Sequence, residues 1–157
     1  MSNASSTSIT LDRLDRAILR VLSVDGRISV AALAERIDRS KTPTQARLKR
    51  LERSGVIRGY RAILDPISIG SAHVAFVEVK LSDTRESALS DFNHAAREVA
   101  EIEECHLIAG GFDYLLKVRT ADITTYRRVL AENISSLPHV ASTSTYVAME
   151  AVKELGP

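Results

Sequence analysis

The chain has 157 residues and a net charge of +1, which leaves room for one large domain or two small ones. Aromatic residues make up only 4% of the chain and Trp is absent, which argues against a protein that stacks the bases of single-stranded nucleic acid. Cys105 is the only cysteine, and alone it can form neither an intrachain disulfide nor a four-ligand zinc site of the usual kind.

Charge is unevenly distributed along the chain. Residues 1–66 contain 13 Lys and Arg against 7 Asp and Glu, a net charge of +6, whereas residues 67–157 contain 8 against 13, a net charge of −5. A basic first part and an acidic second part are typical of a DNA-binding module joined to a module that does not bind DNA. Six of the basic residues fall between Lys41 and Arg58, which makes chance clustering the weaker explanation.

The N-terminal segment and the overall hydropathy favour a cytoplasmic protein. The first ten residues are rich in Ser and lack an apolar stretch, so they do not resemble a signal peptide. Residues 1–9 are expected to form a disordered tail. No apolar run approaches the ~20 residues that a membrane-spanning helix needs.

Three short helices are predicted in the basic part. Thr10 is expected to cap the first, from Leu11 to about Val24, and Ser29 is expected to cap the second. The third is expected to begin at Ser40, whose hydroxyl caps it, and to stop at Gly55. Three such helices are typical of a helix-turn-helix domain, although a generic three-helix bundle would show the same apolar pattern.

The third helix has two chemically different faces. Thr44, Leu48 and Leu51 share the stripe that is expected to face the core. The opposite face is short, polar and basic, as a helix needs in order to enter the major groove of DNA. Because the helix is ~21 Å long and the groove ~12 Å wide, only its N-terminal half is expected to reach base edges.

Ten residues in and after this helix form the predicted DNA-binding set. The residues expected to read bases are Thr42, Gln45, Ala46 and Lys49, and Gln suits this role because it can bind adenine through two hydrogen bonds. Those expected to contact phosphates are Lys41, Arg47, Arg50, Arg53 and Arg58, and Thr44 completes the set. For Arg47, an ion pair inside the domain with Glu52 or Glu35 is an alternative.

A linker and a second domain follow. Residues 56–64 predict an extended linker strand that Asp65-Pro66 ends, so the helix-turn-helix domain is assigned to residues 10–66 and the second domain to residues 67–157. Strands are predicted at His73–Leu81, Glu104–Ala109, Tyr114–Thr120 and Val140–Ala148. Helices are predicted at Glu86–Val99 and from the cap Asp122 to about Ser136, the latter with inward-facing Ile123, Tyr126, Val129, Leu130 and Ile134.

The order βαββαβ predicts a ferredoxin-like domain with both helices on one face of the sheet. The strands His73–Leu81 and Glu104–Ala109 look apolar on both faces. A partner subunit is therefore expected to cover the other face. The whole chain is expected to have an α+β fold.

The chain resembles the Lrp/AsnC family, the leucine-responsive or feast/famine transcription regulators. The matching stretches follow the family's order and read LDRLDRAIL, DGRIS, TPTQARLKRLERSGVIRGY, EECHLIAGGFDYLLKV and LPHV with TYVAME. They cover nearly the whole chain from Leu11 to Lys153. The pattern LxxLExxGxI alone is common to many winged helices, whereas the set together is specific.

The resemblance implies a winged helix-turn-helix domain and a regulatory domain that dimerises through its sheet, with dimers assembling into octamers. It also implies that a small effector, usually an amino acid, binds at the interface between regulatory domains. The family's effector-linked motif corresponds to HLIAGGFDY. The residues carried over as effector-binding are His106, Ile108, Gly110, Gly111, Asp113 and Tyr114, with Thr145 and Tyr146 of the last strand.

One departure bears on the effector, and several of these residues have simpler explanations. Relatives that respond to leucine read GDFDY, whereas this chain has Gly111 at the first Asp position; a ligand ammonium would lose a partner, which puts leucine in doubt. Gly110-Gly111 also fits a tight turn that needs positive φ. His106 fits a satisfied strand histidine, Asp113 a bond within its own turn, and Cys105 a small buried side chain.

These features and the resemblance together predict a function. The chain is predicted to be a sequence-specific DNA-binding transcriptional regulator of amino-acid metabolism genes, with double-stranded DNA, an amino acid and its own copies as partners. No Walker loop, Rossmann fingerprint, HExxH or G-x-S-x-G motif is present, so no enzyme, metal site or cofactor is expected. The alternative is a small-molecule-binding regulatory or enzymatic ferredoxin-like domain whose helical module binds protein and not DNA.

Overall fold

The computed structural model describes residues 10–154, and the predicted tail of residues 1–9 lies outside them. The chain divides into two compact units, Met1–Ala62 and Ile63–Pro157. The first unit is helical, and the second contains a four-stranded sheet with its helices. No helix in the described range has the length and apolar character needed to cross a membrane.

The first unit consists of three helices around a small core. They are α1 (Arg13–Leu22), α2 (Val30–Arg36) and α3 (Lys41–Arg53). The largest apolar side chain that each helix buries in this core is Ile18, Leu33 or Leu51, and all three are fully buried. Burying an aliphatic side chain of this size contributes about 1.5–3 kcal/mol, so these residues hold α3 against the other two helices.

The prediction that Thr10 caps α1 is wrong. The N-cap is Asp12, whose Oδ1 accepts a hydrogen bond from the Asp15 amide, while Oδ2 of Asp15 accepts one from the Asp12 amide. This reciprocal capping box satisfies two amides that lack a helical partner. A carboxylate also complements the positive end of the helix dipole, which favours a start at Asp12 over one at Thr10.

Ser29 and Ser40 immediately precede α2 and α3, as predicted, but only Ser29 caps its helix with a side-chain hydrogen bond. The Ser29 hydroxyl accepts from the Ala32 amide. Ser40 precedes α3 without any side-chain capping bond, and its carbonyl instead accepts from the Thr44 hydroxyl at 2.9 Å. After α3, Gly55 has a φ of +74°, the left-handed conformation that glycine adopts at low cost.

The segment after α3 belongs to no sheet. Residues 54–72 are all described and contain no assigned strand, so the predicted linker strand has no partner within the described chain. Several of its apolar side chains are exposed, among them Ile63 at 69% and Ile67 at 76%.

The second unit contains an antiparallel sheet in the order β2-β3-β1-β4. The strands are β1 (His73–Leu81), β2 (Ile102–Leu107), β3 (Tyr114–Thr120) and β4 (Val140–Val147). Helix α4 (Glu86–Glu98) follows β1, and α5 (Ile123–Val129) follows β3 and continues as a π-helical turn, Leu130–Ile134. The predicted βαββαβ order is confirmed, with β2 beginning two residues before its predicted start.

Both helices contribute to a core on one face of the sheet. Val77 of β1, Leu116 of β3, Phe92 of α4 and Ile134 are fully buried there. The expectation that Ile123 faces inward is wrong, since its side chain is 50% exposed. As the first residue of α5 it lies ahead of the buried part of that helix.

The opposite face of the sheet is mixed rather than apolar. Phe76 of β1 pairs with Tyr146 of β4, and these side chains are 38% and 54% exposed. Glu78 and Lys80 continue the same face of β1, because side chains alternate along a strand. The expectation that β1 is apolar on both faces is therefore wrong at Glu78 and Lys80, the polar half of its outer face.

A buried ion cluster lies on β2 and β3. Arg119 Nε lies 2.5 Å from Glu103 Oε1, and its Nη2 lies 2.6 Å from Glu154 Oε1. Its Nη1 donates to the Ser71 carbonyl at 3.1 Å. Lys117 Nζ approaches Glu154 at 2.5 Å and Glu103 at 3.1 Å. Arg119 therefore joins β2, the segment that enters β1 and the C-terminal segment.

Candidate functional site

Helix α3 presents an exposed polar and basic face. Of the residues predicted to contact DNA, the exposed ones are Lys41, Thr42, Gln45, Ala46, Lys49, Arg50, Arg53 and, in the following segment, Arg58. Leu51 on the opposite side is fully buried, which confirms the two-faced helix. The role of each exposed residue at DNA stays a prediction.

The prediction that Thr44 contacts DNA is contradicted by the structure. Its side chain is 1% exposed, and its hydroxyl donates to the Ser40 carbonyl. Thr44 lies on the same stripe as Leu48 and Leu51, so its side chain faces the core and is not available to DNA.

Two carboxylates of α1 hold two arginines of α3. Arg47 Nη1 donates to Asp12 Oδ2 at 2.5 Å and to Asp15 Oδ1 at 3.0 Å. Arg50 Nη2 donates to Asp15 Oδ2 at 2.5 Å. We call these four residues the Asp–Arg cluster. The alternative of an intradomain ion pair for Arg47 is confirmed, but the partners Glu52 and Glu35 are wrong.

Both carboxylates of the cluster are ionised at neutral pH, because their pKa values are lowered. Burial would raise the pKa of Asp15, but hydrogen bonds from Arg50, from the Asp12 amide and from Arg47 outweigh it and lower the pKa to about 2. The Asp15 amide and the Arg47 guanidinium also lower the pKa of Asp12. Two carboxylates and two guanidinium groups leave no net charge, so two of the predicted phosphate contacts are already paired in the free protein.

One local signal for this cluster is present in the sequence. An acidic N-cap followed three residues later by a second acid, here Asp12 and Asp15, matches the capping-box pattern. That pattern places both carboxylates at one end of α1. Their pairing with arginines 32 and 35 positions away depends on how α1 and α3 pack, which the pattern does not specify.

The predicted effector residues centre on the loop between β2 and β3. Asp113 organises this loop: its Oδ2 accepts from the Leu81 amide at 2.8 Å and its Oδ1 from Lys80 Nζ at 3.2 Å. The Ile108 amide donates to the Asp113 carbonyl at 2.8 Å. Asp113 thus ties the loop to the end of β1, and its bonds extend beyond its own turn.

The two glycines of the loop do not have the positive φ that a tight turn would need, so that explanation of Gly110-Gly111 is wrong. A Cβ on Gly110 would touch the Ile108 side chain at 3.4 Å, whereas a Cβ on Gly111 would meet nothing within 4 Å. Gly111 therefore has open space around it for a larger side chain, and this is the position where the resemblance implies Asp in leucine-responsive relatives.

Tyr114 belongs to the core, so its assignment to the effector site is wrong. It is 1% exposed, and its ring centroid lies 4.3 Å from that of Phe92 on α4. Burial raises the pKa of its hydroxyl. Because Tyr114 faces the helices, no ligand on the open face of the sheet can contact its ring.

The remaining effector candidates do not meet at one place in the chain. Thr145 lies opposite the buried Val77, and its hydroxyl is 2.6 Å from that of Tyr126, whereas Tyr146 lies on the other face. His106 is exposed on β2, with Nε2 3.1 Å from Glu104 Oε2. Two strands separate β2 from β4, a spacing of roughly 14 Å, so one amino acid cannot contact both His106 and Tyr146 of the same chain.

Cys105, expected to be buried, is exposed on β2, because β2 is an edge strand of the sheet. Within residues 10–154, no group of three or more His, Cys, Asp or Glu side chains could hold a metal ion.

Comparison with known proteins gives matches in both units. A family model of the Lrp/AsnC ligand binding domain matches residues 74–157, and one of winged helix-turn-helix DNA-binding domains matches residues 11–58. The chain belongs to the Lrp/AsnC family. It is a DNA-binding transcriptional regulator of the Lrp/AsnC type, so the predicted family, fold class and role in transcription are confirmed.

Individual members of the Lrp/AsnC family are similar over nearly the full length. The chain is 60% identical to a proline dehydrogenase transcriptional activator of Rhizobium radiobacter, over 99% of both chains. It is 46% identical to the leucine-responsive regulatory protein of Escherichia coli, over 92% of this chain and 88% of that one. A transcriptional regulator of Neisseria meningitidis in complex with L-Met matches with a TM-score of 0.85 at 31% identity, over 92% of this chain and 94% of that chain.

Proposed function

We propose that this Lrp/AsnC regulator controls a gene for amino-acid catabolism, such as that of a proline dehydrogenase, and that an amino acid governs its binding to DNA. The observation that carries the proposal is the exposed basic face of α3 in a chain that is 60% identical to a proline dehydrogenase transcriptional activator. We place this activity in the cytoplasm, where the DNA of a bacterial relative lies.

The DNA contacts are proposed to come from the free part of the exposed face. Thr42, Gln45 and Ala46 lie in the N-terminal half of α3, which the groove width allows to reach base edges. Lys49 follows one turn later and reaches either a base or a phosphate. Lys41, Arg53 and Arg58 are exposed around them and supply phosphate contacts, which fix the helix in the groove without reading sequence.

Replacing Gln45 by alanine is expected to reduce discrimination between DNA sites, because it removes a side chain that can form two hydrogen bonds with adenine. The expected loss is about 1–3 kcal/mol at the affected base pair. Fluorescence anisotropy would compare a duplex selected from a random pool by the wild-type protein with single-base variants of that duplex.

The matched control is Lys41→Ala at the start of α3. Losing a phosphate contact should weaken binding to all of these duplexes alike and reduce the log–log salt slope by about 1. If Gln45→Ala weakens every duplex equally, as Lys41→Ala does, Gln45 is not a base reader.

The effector is proposed to be an amino acid that contacts the β2–β3 loop at an interface between chains. The space at Gly111 and the exposed edge at His106 support this position, and the separation of His106 from Tyr146 supports a site completed by a second chain. We propose homodimers that cover the open face of the sheet and assemble into octamers. The amino acid shifts this assembly only as far as its affinity differs between the alternative states.

A melting-temperature screen of the twenty amino acids is expected to identify at least one ligand. An amino acid at 100 times its Kd should stabilise the protein by about 2.7 kcal/mol. Gly111→Asp, which introduces a carboxylate into open space, is expected to change the ranking of amino acids without lowering the melting temperature of the free protein. If no amino acid shifts the melting temperature of either protein, the proposal of an amino-acid effector is contradicted.

A further inference from the structure

The two carboxylates of the Asp–Arg cluster differ in their exposure. The side chain of Asp15 is 1% exposed, whereas that of Asp12 is 50% exposed. Both accept from the same Nη1 of Arg47, at 3.0 Å and 2.5 Å. Arg47 is thus held from one side by a buried partner and from the other by a partner that solvent reaches.

The cluster opens onto the face of α3 that carries the proposed DNA contacts. A groove of about 420 Å³ is lined by Asp12, Pro43, Ala46, Arg47 and Arg50. Ala46 is one of the proposed base readers, so a DNA backbone that approaches α3 there comes close to both arginines and to Asp12.

A phosphate and a carboxylate compete for the same guanidinium donors, because each is an oxyanion that accepts charge-assisted hydrogen bonds from arginine. Asp15 is too deeply buried for a phosphate to displace it, and it holds Arg50 as well. Asp12 is exposed enough to be displaced, and its negative charge faces an incoming phosphate at whatever sequence the protein meets.

We propose that Asp15 is a positioning residue that holds Arg47 and Arg50 on the DNA-facing side of α3, and that Asp12 competes with DNA phosphate for Arg47 and thereby weakens binding to non-specific DNA. This inference rests on the proposed role of α3 as the helix that contacts DNA. Specificity is a difference between two affinities, so a penalty common to all sequences leaves that difference unchanged. It lowers the occupancy of weak, non-specific sites, while sites with strong base contacts stay bound at the same protein concentration.

Asp12→Asn tests the competition without removing the helix cap, because Asn and Asp are equally good N-caps. We expect it to tighten binding to a random-sequence 30-base-pair duplex by about 3- to 10-fold at 100 mM salt. The log–log slope with salt should become steeper by about 1 for each α3 that contacts the duplex, the value for one additional phosphate contact. The affinity for the selected duplex should rise by a similar factor, because a phosphate contact is common to both duplexes.

The matched control is Asp38→Asn, in the turn before α3. Asp38 has a φ of 54°, which Asn also tolerates, and among residues 10–154 it forms no ion pair. This variant removes the same charge from the same unit without touching Arg47, so we expect a smaller gain in affinity and an unchanged slope. Asp12→Ser, which keeps a capping oxygen without the amide group, serves as a second variant if Asp12→Asn does not fold.

The outcomes separate this inference from the proposed function. If wild-type protein binds DNA with a steep salt dependence but Asp12→Asn matches Asp38→Asn, or binds random DNA more weakly than wild type, the competition is overturned while the DNA-binding role of α3 stands. If wild-type binding to the random duplex shows no salt dependence, phosphate contacts from α3 are themselves contradicted.

Discussion

Replacing Arg119 by methionine is expected to lower the free energy of unfolding of the second unit by about 3–5 kcal/mol, the usual cost of removing one partner from a buried ion pair. The Arg119 side chain is 5% exposed and bonds Glu103, Glu154 and the Ser71 carbonyl. Without it, two carboxylates that are each 17% exposed share the single cation of Lys117. Methionine fills part of the volume but neutralises neither carboxylate.

Urea unfolding followed by circular dichroism, at one protein concentration because assembly affects stability, would measure this loss. Peptide-resolved hydrogen exchange should show faster exchange in β2 and β3 and unchanged exchange in α1–α3. The control is Arg97→Met in α4, an exposed arginine without an ion pair in the described part of the chain, which should change stability by less than about 0.5 kcal/mol. Equal effects of the two replacements would show that the cluster adds nothing to stability.

A double replacement separates the ion pair from the packing of the arginine. Glu154→Gln removes one of the carboxylates that Arg119 neutralises. If the pair is coupled, Arg119→Met combined with Glu154→Gln should cost less than the sum of the single replacements. Strict additivity would mean that Arg119 stabilises the unit through its contacts with Glu103 and Ser71 alone.

Local sequence rules were sufficient for most of the fold. The apolar run of β1 and the cap at Asp122 predict their elements from neighbouring residues alone, and both are found in the structure. The two faces of α3 follow from the 3.6-residue period of a helix. In each case the interactions responsible join residues only a few positions apart, so a local sequence pattern is enough to predict the element.

The candidate sites depended on contacts that no local pattern describes. Asp15 meets Arg47 and Arg50 only because α1 packs on α3, and Ser71 meets Arg119 across 48 positions. The family motif identifies Tyr114 by its position in the chain but does not indicate which face of the sheet its side chain occupies. A strand alternates its faces, so the neighbours of a ligand-binding residue on the same strand turn away from the ligand.

Asp15→Asn is expected to destabilise the first unit by about 2 kcal/mol at pH 7, the free energy that corresponds to the lowered pKa of Asp15. Burial opposes the charge, but the hydrogen bonds from Arg50, Asp12 and Arg47 lower that pKa from 3.8 to about 2. As the pH falls below about 4, the unfolded chain takes up a proton before the folded protein does. The contribution is therefore complete above pH 4 and is lost as the pH falls towards 2.

The pH dependence distinguishes the charge of Asp15 from its shape. Asn keeps the size of the side chain and an oxygen for the Asp12 amide but cannot be ionised, so the difference in stability between wild type and variant should shrink from pH 4 towards pH 2. Urea unfolding at several pH values, with Asp38→Asn as the control within about 0.5 kcal/mol of wild type at pH 7, would measure it. A difference that stays constant to pH 2 would mean that packing, not charge, accounts for the loss.

The Asp15→Asn and Asp12→Asn replacements together test whether the two carboxylates have different roles. Asp15 is buried and binds both arginines, whereas Asp12 is half exposed and binds one. Losing the charge of Asp15 should therefore lower stability and leave Arg50 without a carboxylate, so that Arg50 no longer has a fixed position at the groove. Losing the charge of Asp12 should leave both arginines in place and change DNA binding more than stability. Opposite outcomes for the two replacements would mean that exposure does not decide which carboxylate a phosphate can displace.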